Sequence, residues 1–269
     1  MEAYRIDSFG SVDGILLRSS EDPRPGLREV LMRVRATSLN YRDLMVLKGG
    51  GRGPTKHGVI PLSDGAGEVA AVGEGVTRVK VGDRIAGTFH PRWFGGPIKP
   101  EYLTDRLGAN LDGMLAEYAV LSEEALVRVP SHFSFEEAAT LPCAAVTAWV
   151  ALTGHRKVTA GDTVLTQGSG GVSIFALQLA RLLGARVIAT TSTAKKGRAA
   201  QGIGRRRGDQ LHPDARLGRE DPRTDRWPWR RLRRRDRRAG DDRDVAEGIS
   251  RGRTYQLDWR ESVAIGDGA

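Results

Sequence analysis

Between Thr163 and Ala189 the chain reads as strand, glycine turn, helix and strand, and no other stretch constrains its fold so tightly. Thr163–Thr166 is a short apolar run. Gly168, Ser169, Gly170, Gly171 and Val172 follow it as a turn, then Val172, Phe175, Ala176, Leu179 and Leu182 recur at helical spacing. Gly184 stops that helix, and Arg186–Ala189 reads as a second strand. Such a unit is a β–α–β element of a parallel sheet with a right-handed crossover.

A glycine turn in this setting leaves orphan backbone N–H groups at the positive end of a helix dipole, where a pyrophosphate can sit. Gly168, Ser169, Gly170, Gly171 and Val172 are therefore candidate cofactor ligands. Ser173 stands where the dinucleotide fingerprint prefers glycine or alanine, and it is small enough for close helix–strand packing. The competing reading is a glycine-rich turn without a ligand. An acidic residue past the second strand would hold the ribose hydroxyls of NAD. This chain has Thr190, Thr191 and Ser192, then Lys195 and Lys196. Hydroxyls and cations suit a 2′-phosphate, so NADP is expected before NAD, with Thr191, Ser192 and Lys196 as contacts. The plain alternative is a solvated helix start.

Residues 1–127 read as an irregular β domain. Val30, Met32, Val34 and Ala36 alternate with Leu31, Arg33 and Arg35, the pattern of a half-buried strand. Short β-rich pieces follow, punctuated by Gly65, Gly67, Gly73, Gly75, Gly82 and Gly87, which suggests a small barrel-like domain. The stretch from Phe89 to Gly113 has no periodicity and reads as a loop. Ser134 and Glu137 have capping-box spacing and begin a helix.

Charge separates the last part of the chain from the rest. The net charge of +9 would suggest an anionic partner, but nineteen arginines and no lysine lie after Gly197. This part has neither helical nor strand period. The single cysteine, Cys143, excludes an internal disulfide and a cysteine-based zinc cluster. No apolar run is long enough to cross a membrane, and MEAYRIDSFG has no basic segment leading into an apolar one. A reducing cytoplasm is the expected location.

The runs ATSLNYRDLMVLKGG, PLSDGAGEVAAVGEGVTRVKVGDRIAG, DGMLAEYAVLSEEALVRVPSHFSFEEAATLPCAAVTAW and VLTQGSGGVSIFALQLARLLGARVIATTS occur in order. Together they resemble the medium-chain dehydrogenase/reductases, in particular the zinc-free, quinone oxidoreductase-like and enoyl reductase-like branch. The resemblance implies an α/β and β architecture. Residues 1–127 would be a GroES-like β-barrel catalytic domain and 128–196 the first part of a Rossmann domain. Residues 197–269 would be a disordered, non-native arginine-rich tail. It further implies hydride transfer between a nicotinamide and a quinone, enone or similar carbonyl substrate, and homodimers among full-length relatives. Asn40, Tyr41 and Asp43 would line the cleft as catalytic residues, and Thr147 would approach the cofactor. Tyr41 would donate a proton or hydrogen bond, and Asn40 would polarise a carbonyl. Asn40 and Asp43 also suit capping of the helix that begins near Arg42.

Zinc members carry Cys where Asn40 stands and Gly-His-Glu where Leu62-Ser63-Asp64 stands; Cys143 matches their third ligand. One thiol without the other two ligands is not expected to hold zinc, so Cys143 reads as a small buried hydrophobe, and His57, His90 and His132 as surface residues. From Lys196 to Asp236 a one-base shift of reading frame admits a continuation resembling the family's second half, which points to a frameshift, with this shortened form inactive. Two other readings remain: a secondary-alcohol dehydrogenase, and a non-enzymatic protein binding nucleic acid or another anion through the basic tail, in which interspersed Asp weakens the case.

Overall fold

The computed structural model describes residues 1–49, 55–97, 99–154, 157–190 and 254–257. Thr191, Ser192 and Lys196 lie outside the described residues, as does nearly all of the 197–269 tail. Two compact units divide between Thr147 and Ala148.

The first unit opens on an antiparallel hairpin of β1 (Glu2–Ile6) and β2 (Ile15–Ser19). The alternation around Val30 becomes β3 (Glu29–Ser38), with Val30 and Met32 fully buried and Arg33 turned outward. It lies in a five-stranded antiparallel sheet with β4 (Asp64–Val72), β5 (Arg84–Gly87), β6 (Tyr118–Ser122) and β7 (Leu126–Arg128), in the order β6-β3-β4-β5-β7. Its two edge strands, β6 and β7, are joined by only Glu123–Ala125, so the sheet curls until its edges meet in sequence. That curl makes a half-barrel where a barrel-like domain was expected, filled by Val30, Met32, Val69, Ile85, Leu107, Met114 and Leu121.

Glu123 makes that joint rigid. Its side chain is fully buried, and Oε2 accepts from the backbone N–H groups of Thr77 and Arg78 at 2.8 Å each. Arg28 approaches Oε1 at 2.8 Å. The two N–H donors and the cation hold the carboxyl below the usual glutamate range.

The capping box is present: Glu137 N donates to Ser134 Oγ at 3.1 Å and Ser134 N to Glu137 Oε2 at 2.9 Å. These bonds start a short helix, separate from α1 (Tyr41–Leu47) earlier in the chain; it is α2 (Phe135–Ala139). Ala138 and Ala139 pack on Ala66, with Ala36, Ala86, Val129 and Phe135 around them. Residues 128–147 therefore belong with the β unit, and the division falls later than Val127.

A π-helical turn, Leu141–Ala145, leads into α3 (Val146–Thr153). In the second unit, β8 (Thr163–Thr166), α4 (Gly171–Leu182) and β9 (Arg186–Ala189) form the anticipated β–α–β unit, with β8 and β9 parallel. Gly184, at φ +81°, ends α4. The buried face overlaps the expected stripe at Ala176 and Leu179 but is rotated, so that Leu182 falls outside it. Ala176, Leu177 and Ala180 are buried against β8 and β9, while Leu182 is 76% exposed. Leu182 lies four residues after the exposed Gln178 and shares its outer face.

A further strand, β10 (Thr254–Leu257), pairs parallel with the other edge of β8, giving the order β10-β8-β9. Those four residues of the tail are ordered in sheet, where disorder was expected. Among the described residues no helix is long and apolar enough to cross a membrane.

Candidate active site

In the first unit the candidate residues gather where β3 ends and α1 begins. Asn40 is extended (φ −125°, ψ 152°) and caps the helix. Its N–H donates to Asp43 Oδ2 at 2.7 Å, and Asp43 N donates back to the Asn40 carbonyl at 3.0 Å. The Asp43 carboxylate is thus engaged by the cap and by Arg42 Nη1 at 3.3 Å. Burial raises its pKa; the cap bond and Arg42 pull it back, and Asp64 pushes it further up. Capping, the structural reading of Asp43, describes what this side chain does. Tyr41, one residue into the helix, is 66% exposed.

Opposite this turn lies Asp64, which motif reading did not single out. Ser63 and Asp64 are both fully buried. Ser63 Oγ donates to Asp64 Oδ1 at 2.6 Å, and the Cys143 amide donates to Asp64 Oδ2 at 3.0 Å. Burial raises the Asp64 pKa, opposed by Ser63, Cys143 N–H, Asn40 and Arg42 in that order. The Asn40 carboxamide faces Asp64 closely enough to favour its ionised form but outside good hydrogen-bond geometry, so its buried Nδ2 has no partner. Leu62, just before the pair, sits at φ +69°. A left-handed leucine is a strained backbone, and it aims Ser63 and Asp64 inward.

Arg42 is the cation of this cluster. Nη1 also donates to the Leu107 carbonyl at 3.1 Å, and the guanidinium lies 4.7 Å from the Phe89 ring centroid. The aperiodic 89–113 stretch is therefore tied to α1 and has an interior of its own. Trp93 and Tyr102 stack at 6.4 Å, and His90 meets Trp93 edge-on at 5.9 Å. His90 is half-buried, where a surface position was expected. Its Nδ1 lies 2.9 Å from the Tyr102 carbonyl and 3.2 Å from that of Asp105. Burial, with Arg106 and Arg42 nearby, lowers its pKa. His57 and His132 are exposed as expected.

Cys143 is half-buried, and burial, helped by Asp64, pushes its thiol up to about 12. Thr147 Oγ1 donates back to the Cys143 carbonyl at 2.6 Å. Its proton is used inside the helix, and its lone pairs remain for a donor on a ligand.

The second unit carries the glycine turn. Gly168 has φ +82°, a conformation that favours glycine. Gly170 is the N-cap of the twelve-residue α4 and has no side-chain cap bond. A Cβ at Gly168 or Gly170 would meet nothing within 4 Å, so the space above the turn is open. No acidic side chain stands in the first helical turn. Ser173 Oγ donates to the Gln167 carbonyl at 2.7 Å and Gly168 N donates to Thr190 Oγ1 at 3.2 Å, closing the turn from both sides.

Comparison with known proteins matches residues 26–131 to the alcohol dehydrogenase GroES-like domain. The chain is 45% identical over 203 residues to the zinc-type alcohol dehydrogenase-like protein C1773.06c of Schizosaccharomyces pombe, covering 74% of this chain and 58% of that one. It is 36% identical over 195 residues to a quinone oxidoreductase of Pseudomonas aeruginosa, covering 72% and 54%. A crystal structure of a putative alcohol dehydrogenase from Sinorhizobium meliloti superposes with TM-score 0.71 at 39% identity, covering 76% of this chain and 60% of that one. The chain thus spans rather more than half the length of these relatives.

Proposed function

Because the chain belongs to the medium-chain dehydrogenase/reductase family, we propose that it carries the hydride-transfer site of an NADP-dependent oxidoreductase acting on a quinone, enone or similar carbonyl compound. The observation that carries this reading is the open, acid-free glycine turn at the N-terminus of α4. Its backbone N–H groups from Ser169 through Val172 suit a pyrophosphate, that of Gly168 being given to Thr190 Oγ1. A bound nicotinamide supplies the hydride. The protein supplies orientation and donors for the oxygen that gains charge. Tyr41 is the exposed phenol for that role, whereas the Asn40 amide nitrogen is buried. The lone pairs of Thr147 Oγ1 can accept from an amide.

Restoring the reading frame near the codons for Ala194–Arg198 and titrating with reduced nicotinamides by fluorescence tests the reading. The restored protein is expected to bind NADPH more tightly than NADH, and the chain as it stands to bind neither well. Lys196→Glu should narrow or reverse the preference, since a lost charge-assisted bond to phosphate costs about 1.5–3 kcal/mol. A restored protein that prefers NADH would overturn the NADP assignment, and tight NADPH binding by the present chain would overturn the argument that it is incomplete.

The donors at the zinc positions do not fit a catalytic zinc. An amide and a hydroxyl stand at two of them, which leaves the Cys143 thiol as the one soft donor of the three. The same donors argue against alcohol oxidation through a metal alkoxide. The purified chain is expected to carry sub-stoichiometric zinc by elemental analysis; about one zinc per chain would contradict it.

A further inference from the structure

We propose that Asp64 is the positioning residue of this site, a buried anion that ties the start of β4 to the Cys143 turn and turns the Asn40 carboxamide nitrogen inward. This rests on the reading of the site as a hydride-transfer centre. The geometry is that of a clasp. Asp64 opens β4, its Oδ1 accepts from Ser63 Oγ, and its Oδ2 accepts from the amide of Cys143, seventy-nine residues along the chain. Asn40, from the β3–α1 turn, stands beside the same carboxylate with its buried Nδ2 unbonded. A carboxamide beside a carboxylate takes the flip that directs its N–H bonds toward the anion, because the ion only accepts. The burial of Nδ2 agrees with that flip.

The consequence concerns which atom of Asn40 a ligand can use. With the nitrogen inward, only the amide oxygen is available, and an amide oxygen accepts. It can hold a hydroxyl or an amide N–H. It does not polarise a carbonyl. Asp64 therefore makes Asn40 an acceptor, and the developing oxyanion must find its donor elsewhere, on Tyr41 among the residues considered. The strained Leu62 serves the same end by delivering Ser63 and Asp64 into the interior together.

The charged and titratable groups around Asp64 are Arg42, Asp43 and Cys143, and Cys143 is the only thiol in the chain. Alkylation of Cys143 by iodoacetamide across pH 8–10 therefore reads the local charge. Asp64→Asn is expected to speed alkylation about tenfold at pH 9, the change that one unit of thiol pKa produces. Arg42→Met should slow it. Loosening of the fold would accelerate both, so equal acceleration, or no change in Asp64→Asn, overturns the proposal.

A second pair of variants keeps the test decisive if Asp64→Asn does not fold. Asn40→Asp sets a carboxylate against Asp64 and should lower the melting temperature more than Asn40→Ser does at pH 8. The new acid has its folded-state pKa raised, so the penalty is present above the ordinary carboxylate range and shrinks as pH falls through the raised value. A gap between Asn40→Asp and Asn40→Ser that is the same at pH 5 and pH 8 overturns the inward nitrogen. None of these measurements involves a nicotinamide, so failure of NADPH binding removes the proposed function and leaves this result standing.

Discussion

Gly113→Ala is expected to lower the stability of the first unit by at least about 3 kcal/mol, the upper end of ordinary overpacking. A methyl group at Gly113 would overlap the carbonyl oxygens of Ile60, Pro61 and Leu62. These atoms are backbone, so no side-chain rotation relieves the clash. Gly113 N also donates to the Ile60 carbonyl at 2.7 Å, and the Pro61 and Leu62 carbonyls accept from Met114 N at 3.1 and 2.9 Å. The strain would pass along the 60–62 segment into Ser63 and Asp64. Gly82→Ala is the control. Gly82 has φ +89° but open space around its missing Cβ, so only the left-handed penalty of about 1–2 kcal/mol applies. Urea unfolding of both variants decides the matter, and similar losses would show that the contact around Gly113 is not tight.

In the second unit, Leu177→Ala should cost about 2–5 kcal/mol, as expected for a truncated core leucine. Leu177 is 1% exposed and packs with Leu152, Val158, Val164 and Val187. Leu182→Ala should change stability by less than about 0.5 kcal/mol, because that side chain is 76% exposed. The pair tests the rotation of α4. Should the two variants unfold in the reverse order, the packed face would be the one that contains Leu182.

Much of this fold was legible because its signals are local. The Ser134–Glu137 box, the strand ends of the β–α–β unit and the Gly184 stop each depend on a few adjacent residues and appear where they were read. The face of α4 was legible in part: Ala176 and Leu179 pack as read, while Leu182, beside Gln178 on the outer side, does not. Within the site, Asn40 and Asp43 could be read as caps from residue type and spacing. Asp64 was met only through the family resemblance, as the last residue of Leu62-Ser63-Asp64, and no role could be read for it. Its burial depends on an amide donor seventy-nine residues away. Arg42 and His90 were concealed similarly, because their partners lie in a stretch with no period at all.

The placement of β10 changes what β8 can do in company. A lone β–α–β unit leaves one edge of its first strand open, and an open parallel edge is a template for a second chain. Here that edge is already paired by Thr254–Leu257 of the same chain. A neighbouring chain that offered the same four residues to β8 would first have to displace a strand of the protein's own that is already hydrogen-bonded there.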